Sequence, residues 1–195
     1  MTIVSCAVEG DLDEAVLRRL LGSVALDCGP VYGLMGKEYL ERRIDSYAAA
    51  ARRAPWVVLV DLDDDSCAAG LVAAWLPSPP SLMRLRVAVR EVEAWLLADR
   101  RTLARFLSVS RDLIPRAPEA VEDPKRTLVD LARRSRSRSI RDGMAPRPDS
   151  GRSISPLYVA ELSRFVREHW DIDAVTHCSD SLTRCVRALR SLAKT

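Results

Sequence analysis

Two rhythms of apolar residues alternate along the first half of this chain. Residues 3–8 (IVSCAV) and 56–60 (WVVLV) are short, nearly unbroken apolar runs of the kind that form strands buried on both faces. A third strand is predicted where Leu85, Val87 and Val89 alternate with Arg84, Arg86 and Arg90. Between these runs the spacing becomes helical: Leu12, Val16, Leu20 and Leu21 form one stripe, and Leu40, Ile44, Tyr47 and Ala51 another within residues 37–52. Glu9-Gly10 reads as a tight exit turn, and Cys28-Gly-Pro-Val-Tyr-Gly33 as a loop with room for a short strand. Residues 66–76 suit a short apolar helix closed by Pro77-Ser-Pro-Pro80, and residues 91–106 a longer one. Strand–helix alternation of this kind predicts an α/β domain over residues 1–108, with a mainly parallel sheet flanked by helices.

Residues 109–195 change character and predict an α-helical C-terminal extension packed on the sheet or on a partner. Asp123 is placed to cap a helix with Pro124 in its first turn and Leu128, Leu131 and Ala132 inside. Arginines then crowd residues 133–152, alternating with serines, which predicts an irregular segment rather than an amphipathic helix. Residues 144–156 read as a loop, and 156–170 and 179–193 as two further helices. There is no internal repeat.

Composition narrows the classes. With 195 residues, 48% of them apolar, the chain can bury a sizeable core as one domain with an extension or as two small ones. No apolar stretch approaches the roughly 20 residues of a bilayer span, and the first residues do not read as a signal peptide. Five cysteines (Cys6, Cys28, Cys67, Cys178, Cys185) lack a CxxC pair, which argues against a disulfide framework and points to the cytoplasm. Cys6 and Cys67 lie beside core-like runs and are expected to be buried thiols. Net charge is +3, yet the acids concentrate early and the arginines at residues 133–152. That asymmetry suits an acidic catalytic face beside a phosphate-binding segment.

The candidate chemistry sits where strands end. The run at residues 56–60 terminates in Asp61-Leu-Asp-Asp-Asp65. In extended backbone Asp61 and Asp63 would share one side, with Cα atoms roughly 6–7 Å apart. Glu9 leaves the first strand, with Asp13 one helical turn on, and Glu91 and Glu93 follow the third. Carboxylates delivered by several strands repel one another unless a cation or proton intervenes. The carboxyl ends of an open α/β sheet are also where ligands bind. A hard divalent ion, Mg²⁺ or Mn²⁺, is the simplest occupant. Helix-capping aspartates in a solvated turn are the plainer alternative.

Residues 3–10 (IVSCAVEG), 57–63 (VVLVDLD) and, less closely, 90–99 (REVEAWLLAD) resemble the Toprim domain of topoisomerases, primases and OLD-family nucleases. More narrowly the chain resembles a Toprim-like bacterial family often encoded beside OLD-like ATPases, whose pattern extends to Asp123-Pro-Lys125, the Arg/Ser tract and the Ser179-Asp-Ser-Leu segment. The resemblance implies that Glu9, Asp61 and Asp63 are the metal and catalytic acids. It further implies that Asp13 and Glu93 are metal ligands, with Glu91 as the second choice to Glu93. Lys125 would steady transition-state charge; its plainer role is a solvent-facing lysine in a helix's first turn. The implied function is a metal-dependent nuclease acting on DNA or RNA, the effector of an antiviral system with an OLD-like, ABC-type ATPase. A homo-oligomer is compatible with this, and a membrane is not expected.

Arg133, Arg134, Arg136, Arg138 and Arg141 are the candidate nucleic-acid contacts, because the planar guanidinium donates paired bonds to phosphate. No aromatic residues interleave with them, which disfavours a base-stacking groove. Two other readings compete. Val60-Asp-Leu-Asp63 resembles the nucleophile strand of haloacid-dehalogenase-type phosphatases, with Asp61 attacking phosphate and Asp63 as acid, although Asp65 stands where that motif places Thr or Val. A non-catalytic Toprim-like module that docks on an ATPase is the third. His169, His177, Cys178 and Cys185 have no zinc-site spacing.

Overall fold

The computed structural model describes residues 2–65 and 67–194. Four strands, β1 (Thr2–Val8), β2 (Leu26–Gly33), β3 (Trp56–Asp61) and β4 (Met83–Ala88), form one parallel sheet in the order β2-β1-β3-β4. The connecting helices are α1 (Asp11–Ser23), α2 (Lys37–Ala50) and α3 (Ala68–Trp75), and α4 (Val92–Ala98) and α5 (Arg100–Leu107) follow β4. The C-terminal extension adds α6 (Pro124–Arg133), α7 (Arg138–Met144), α8 (Tyr158–Glu168), the single turn α9 (Ile172–Val175) and α10 (Asp180–Leu192).

The fold is α/β as the apolar rhythm indicates, and the pleat sorts its core into two layers. Val4, Cys6, Val8, Val57 and Leu59 face α1, α4 and the helices of the extension. Ala7, Val58, Val60, Leu85 and Val87 face α2 and α3. The chain goes from β1 outward to β2, then returns to place β3 on the other side of β1. That reversal puts α1 and α2 on opposite faces and opens a crevice between the carboxyl ends of β1 and β3, where doubly wound sheets bind ligands.

The extension shares the core of the first layer. Tyr158, Leu162 and Phe165 of α8 are fully buried in it, together with Trp95 and Trp170. At the start of α10, Ser181 Oγ donates to Glu119 Oε1 (2.6 Å) and accepts from Trp95 Nε1 (2.7 Å) and the main-chain N–H of Val89 (3.2 Å). One hydroxyl thus fastens α10 to α4 and to the end of β4.

Several expectations need correcting. Residues 28–33 belong to a full eight-residue strand. Pro30 is tolerated because β2 is the sheet edge, and Gly29 lies so close to β1 that a Cβ there would come within 2.7 Å of Ile3 Cγ2. The helix over 91–106 is two helices broken at buried Asp99, whose carboxylate accepts from the N–H groups of Thr102 and Asp171. The Arg/Ser tract is not wholly irregular. Arg138–Met144 is helical because Ile140 and Met144, one turn apart, are both buried, while Arg141 donates back to Ser135 O (2.5 Å). Cys67, expected to be buried, is exposed at the start of α3. The predicted start of that helix, Ser66, lies outside the described residues. No helix among the described residues is long and apolar enough to cross a membrane.

Candidate functional site

At the crevice, Glu9 leaves β1 and its Oε1 accepts the main-chain N–H of Asp61 (2.8 Å), bridging the two strand ends. Asp61 closes β3, is 9% exposed, and its Oδ1 accepts the N–H of Val92 at the start of α4 (3.0 Å). Asp13 in the first turn of α1 and Glu93 in the first turn of α4 are buried beside them, at 7% and 2% exposure. Glu9, Asp13, Asp61 and Glu93 therefore come together, each delivered by a different element.

Asp63 lies elsewhere. The strand ends at Asp61, and Asp63 takes a left-handed conformation (φ 51°), with its N–H donated to Arg90 O (2.9 Å). The expected extended geometry fails here, because the main chain turns to pair with the β4 exit. The carboxylate faces outward to Lys37 Nζ (3.2 Å), which also holds Asp65 (2.7 Å) and Leu62 O (3.0 Å).

Glu91 is the N-cap residue of α4, in extended backbone, so it and Glu93 reach the same cation. Lys125 Nζ lies 2.9 Å from Glu91 Oε1 and 3.8 Å from Glu93 Oε1, and the Lys125 N–H donates to Glu91 Oε2 (3.2 Å). Lys125 is a half-buried bridge at the rim of the cluster rather than a solvent-facing lysine. Tyr158, which sequence reasoning missed, donates its hydroxyl to Glu93 Oε1 (3.4 Å). It reads as an ordinary core residue of α8, and nothing in its spacing signals that contact.

Burial sets the protonation of the cluster. It pushes Asp13 up to about 8, reinforced by the charges of Glu93 and Glu9. It raises Asp61 well above the carboxylate range, reinforced by Asp13, Glu93 and Glu9. Burial also raises Glu9, against the opposing bond from the Asp61 N–H. Glu93 is pushed to about 7 by burial despite Lys125. Burial works against the charge of Lys125, but Glu93 and Glu91 outweigh it and hold the ammonium above its usual value. At neutral pH these acids cannot all be ionised without a further cation.

The donor set suits a hard divalent ion: four carboxylates at a switch point, with Asp13 Oδ1 buried and lacking a hydrogen-bond partner in the structure. Among the described residues, no three His, Cys, Asp or Glu side chains are placed to hold one ion as they stand. Chelation therefore calls for side-chain rotation.

Beside the cluster opens a cleft of about 700 Å³, lined by the acids Asp63, Asp64, Glu91, Glu122 and Asp123 and by the cations Arg90, Lys125, Arg126, Arg133 and Arg152. Arg90 sits in the turn after β4, Arg126 and Arg133 are seven residues apart on α6, and Arg152 precedes α8. Of the five arginines proposed as nucleic-acid contacts, Arg133 lines this cleft. Arg134, Arg136, Arg138 and Arg141 do not, and Ser137 and Ser139 line a separate cavity with Arg101, Arg105 and Arg164. Compared with known protein families, characterised proteins and solved structures, the chain matches none.

Proposed function

We propose that this protein is a metal-dependent, Toprim-like nuclease that hydrolyses phosphodiester bonds. The observation that carries the reading is the convergence of half-buried Glu9 with buried Asp13, Asp61 and Glu93 at the β1/β3 switch point, where burial and mutual repulsion raise their proton affinities. Asp61, Glu9, Asp13 and Glu93 would hold Mg²⁺ or Mn²⁺, and Asp63 would join on release from Lys37. Such an ion supplies a hydroxide nucleophile at neutral pH and neutralises charge on the phosphoryl oxygens.

The chain's own groups would do the rest. Tyr158 would orient Glu93 Oε1 at the edge of the cluster, where the carboxylate would hold the ion. Lys125 Nζ, charged throughout the physiological range, can face developing negative charge on phosphate. The resemblance adds a cytoplasmic effector working with an OLD-like ATPase against phage.

One observation favours a non-catalytic module instead. Lys37 spans Asp63 and Asp65, and Lys125 spans Glu91 and Glu93, so two internal cations already contact four of the carboxylates and offset part of their charge. The phosphatase reading is weaker, because Asp61 is buried with Oδ1 engaged rather than presented for attack.

The test is cleavage of labelled DNA and RNA by the wild type and by Asp61→Asn, in Mg²⁺, Mn²⁺ or EDTA. The nuclease reading expects metal-dependent products that the variant loses by at least about 10²-fold, the scale of one catalytic group. Intact substrate under every condition would favour the docking module.

A further inference from the structure

The 700 Å³ cleft beside the carboxylate cluster contains three arginines with nothing to do. Lys125 is held by Glu91, and Arg133 by Asp130 (2.9 Å) on the flank of α6. The side chains of Arg90, Arg126 and Arg152 have no hydrogen-bond or carboxylate partner among the described residues, although Asp64, Glu122 and Asp123 line the same cleft. Their backbones come from three separate segments, so their convergence is a product of the fold and not of a local charge run. Arg90 has a left-handed backbone (φ 64°), uncommon for arginine, at the turn that also binds the Asp63 N–H.

Unpaired guanidinium groups around a cleft are suited to a multiply charged oxyanion that accepts paired bonds. The lining contains no aromatic residue, and its apolar members are Val129 and Ile154. It therefore offers no platform for base stacking. We propose that this cleft grips the sugar–phosphate backbone of a nucleic-acid strand through Arg90, Arg126 and Arg152, independently of base sequence and separately from the exposed Arg134, Arg136 and Arg138. The proposal rests on the nuclease reading for the identity of the strand, which the bound phosphates would carry across Lys125 to the carboxylates.

The experiment measures binding of a fluorescein-labelled 20-mer, single-stranded and duplex, in EDTA as salt is raised. The Arg90→Gln/Arg126→Gln/Arg152→Gln variant should weaken binding. It should also flatten the slope of log K against log salt by about 2–3, as expected for three lost phosphate contacts at roughly 0.7–0.9 each. Homopolymeric and mixed sequences should bind alike. Arg134→Gln/Arg136→Gln/Arg138→Gln should leave the slope unchanged. An unchanged slope in the cleft variant, or loss confined to the tract variant, overturns the proposal. So does displacement of the strand by tripolyphosphate at equal phosphate concentration, which would make a small polyphosphate the ligand. Circular dichroism melting of both variants checks that each is folded. If wild type binds through the cleft but never cleaves with metal, the nuclease reading falls and the cleft stands. If cleavage persists undiminished in the cleft variant, the reverse holds.

Discussion

Glu9 Oε1 accepts the main-chain N–H of Asp61 at 2.8 Å, so the acid that leaves β1 is fastened to the backbone of the acid that ends β3. The bond spans the topological switch point and fixes Glu9 over the crevice before any ligand arrives. It also holds an anion close to Asp13, Asp61 and Glu93, which makes this corner of the fold electrostatically costly.

That cost can be measured. Asp13 is the clearest case, with Oδ1 buried and without a partner. Asp13→Asn removes a partly ionised acid from the cluster at nearly constant volume and should raise the metal-free melting temperature at pH 8 and above. About 1 kcal/mol corresponds to roughly 2–4 °C at this chain length. Thermal melts in EDTA check the sign, and the same variant should lose stabilisation by Mg²⁺.

The pH dependence follows from the same groups. Asp13 goes from an ordinary 3.8 to about 8, and Glu93 from 4.5 to about 7. Both are raised acids, so the folded state binds more protons than the unfolded chain between those values. Stability must then fall as pH rises, beginning near the unfolded values and levelling off above about 8. Melts across this window in EDTA should show that decline, and Mg²⁺ should flatten it at the alkaline end with little effect near pH 5.

Away from the site, Ser181→Ala should be among the more damaging small changes. It leaves the buried Trp95 Nε1 and the Val89 N–H without their acceptor, while Glu119 Oε1 keeps Ser179 Oγ and the Ser181 N–H. The expected loss is about 1–3 kcal/mol by urea unfolding, the scale of an unsatisfied buried polar group. Because β4 and α4 are both anchored there, the placement of Glu93 should loosen as well, read as a lower apparent Mg²⁺ affinity.

Cys28 offers a chemical readout of the β1–β2 edge. Its Sγ lies 3.5 Å from Cys6 Sγ, and that hydrogen bond, helped by Arg18, lowers the thiol to about 7. Cys6, fully buried, is raised. Iodoacetamide labelling followed by mass spectrometry should modify Cys28 with a midpoint near pH 7 while leaving Cys6 unmodified in the native protein.

Much of this was legible in the sequence because the parallel strands are buried on both faces, so β1 and β3 stand out as apolar runs ending in acids. The positions of Glu9, Asp13 and Asp61 follow from where those runs stop. Strand β2 was less visible, since an edge strand tolerates the Gly29-Pro30 pair that normally marks a loop. Asp63 was misplaced because strand periodicity carries no information about a left-handed residue two positions beyond the strand end. Arg90, Arg126 and Arg152 are 62 positions apart at their extremes and meet only through tertiary packing, whereas the local run at 133–141 drew attention by composition alone.

The central claim, that the β1/β3 switch point is a divalent-metal centre, is tested most directly by Mn²⁺ binding followed by electron paramagnetic resonance near pH 8. Wild-type protein should quench the free aquo-ion signal saturably, at about one or two ions per chain, and Asp61→Asn and Glu9→Gln should each abolish the tight component while remaining folded. Competition by Mg²⁺ should restore the free Mn²⁺ signal. A wild-type titration indistinguishable from that of Asp61→Asn would contradict the account.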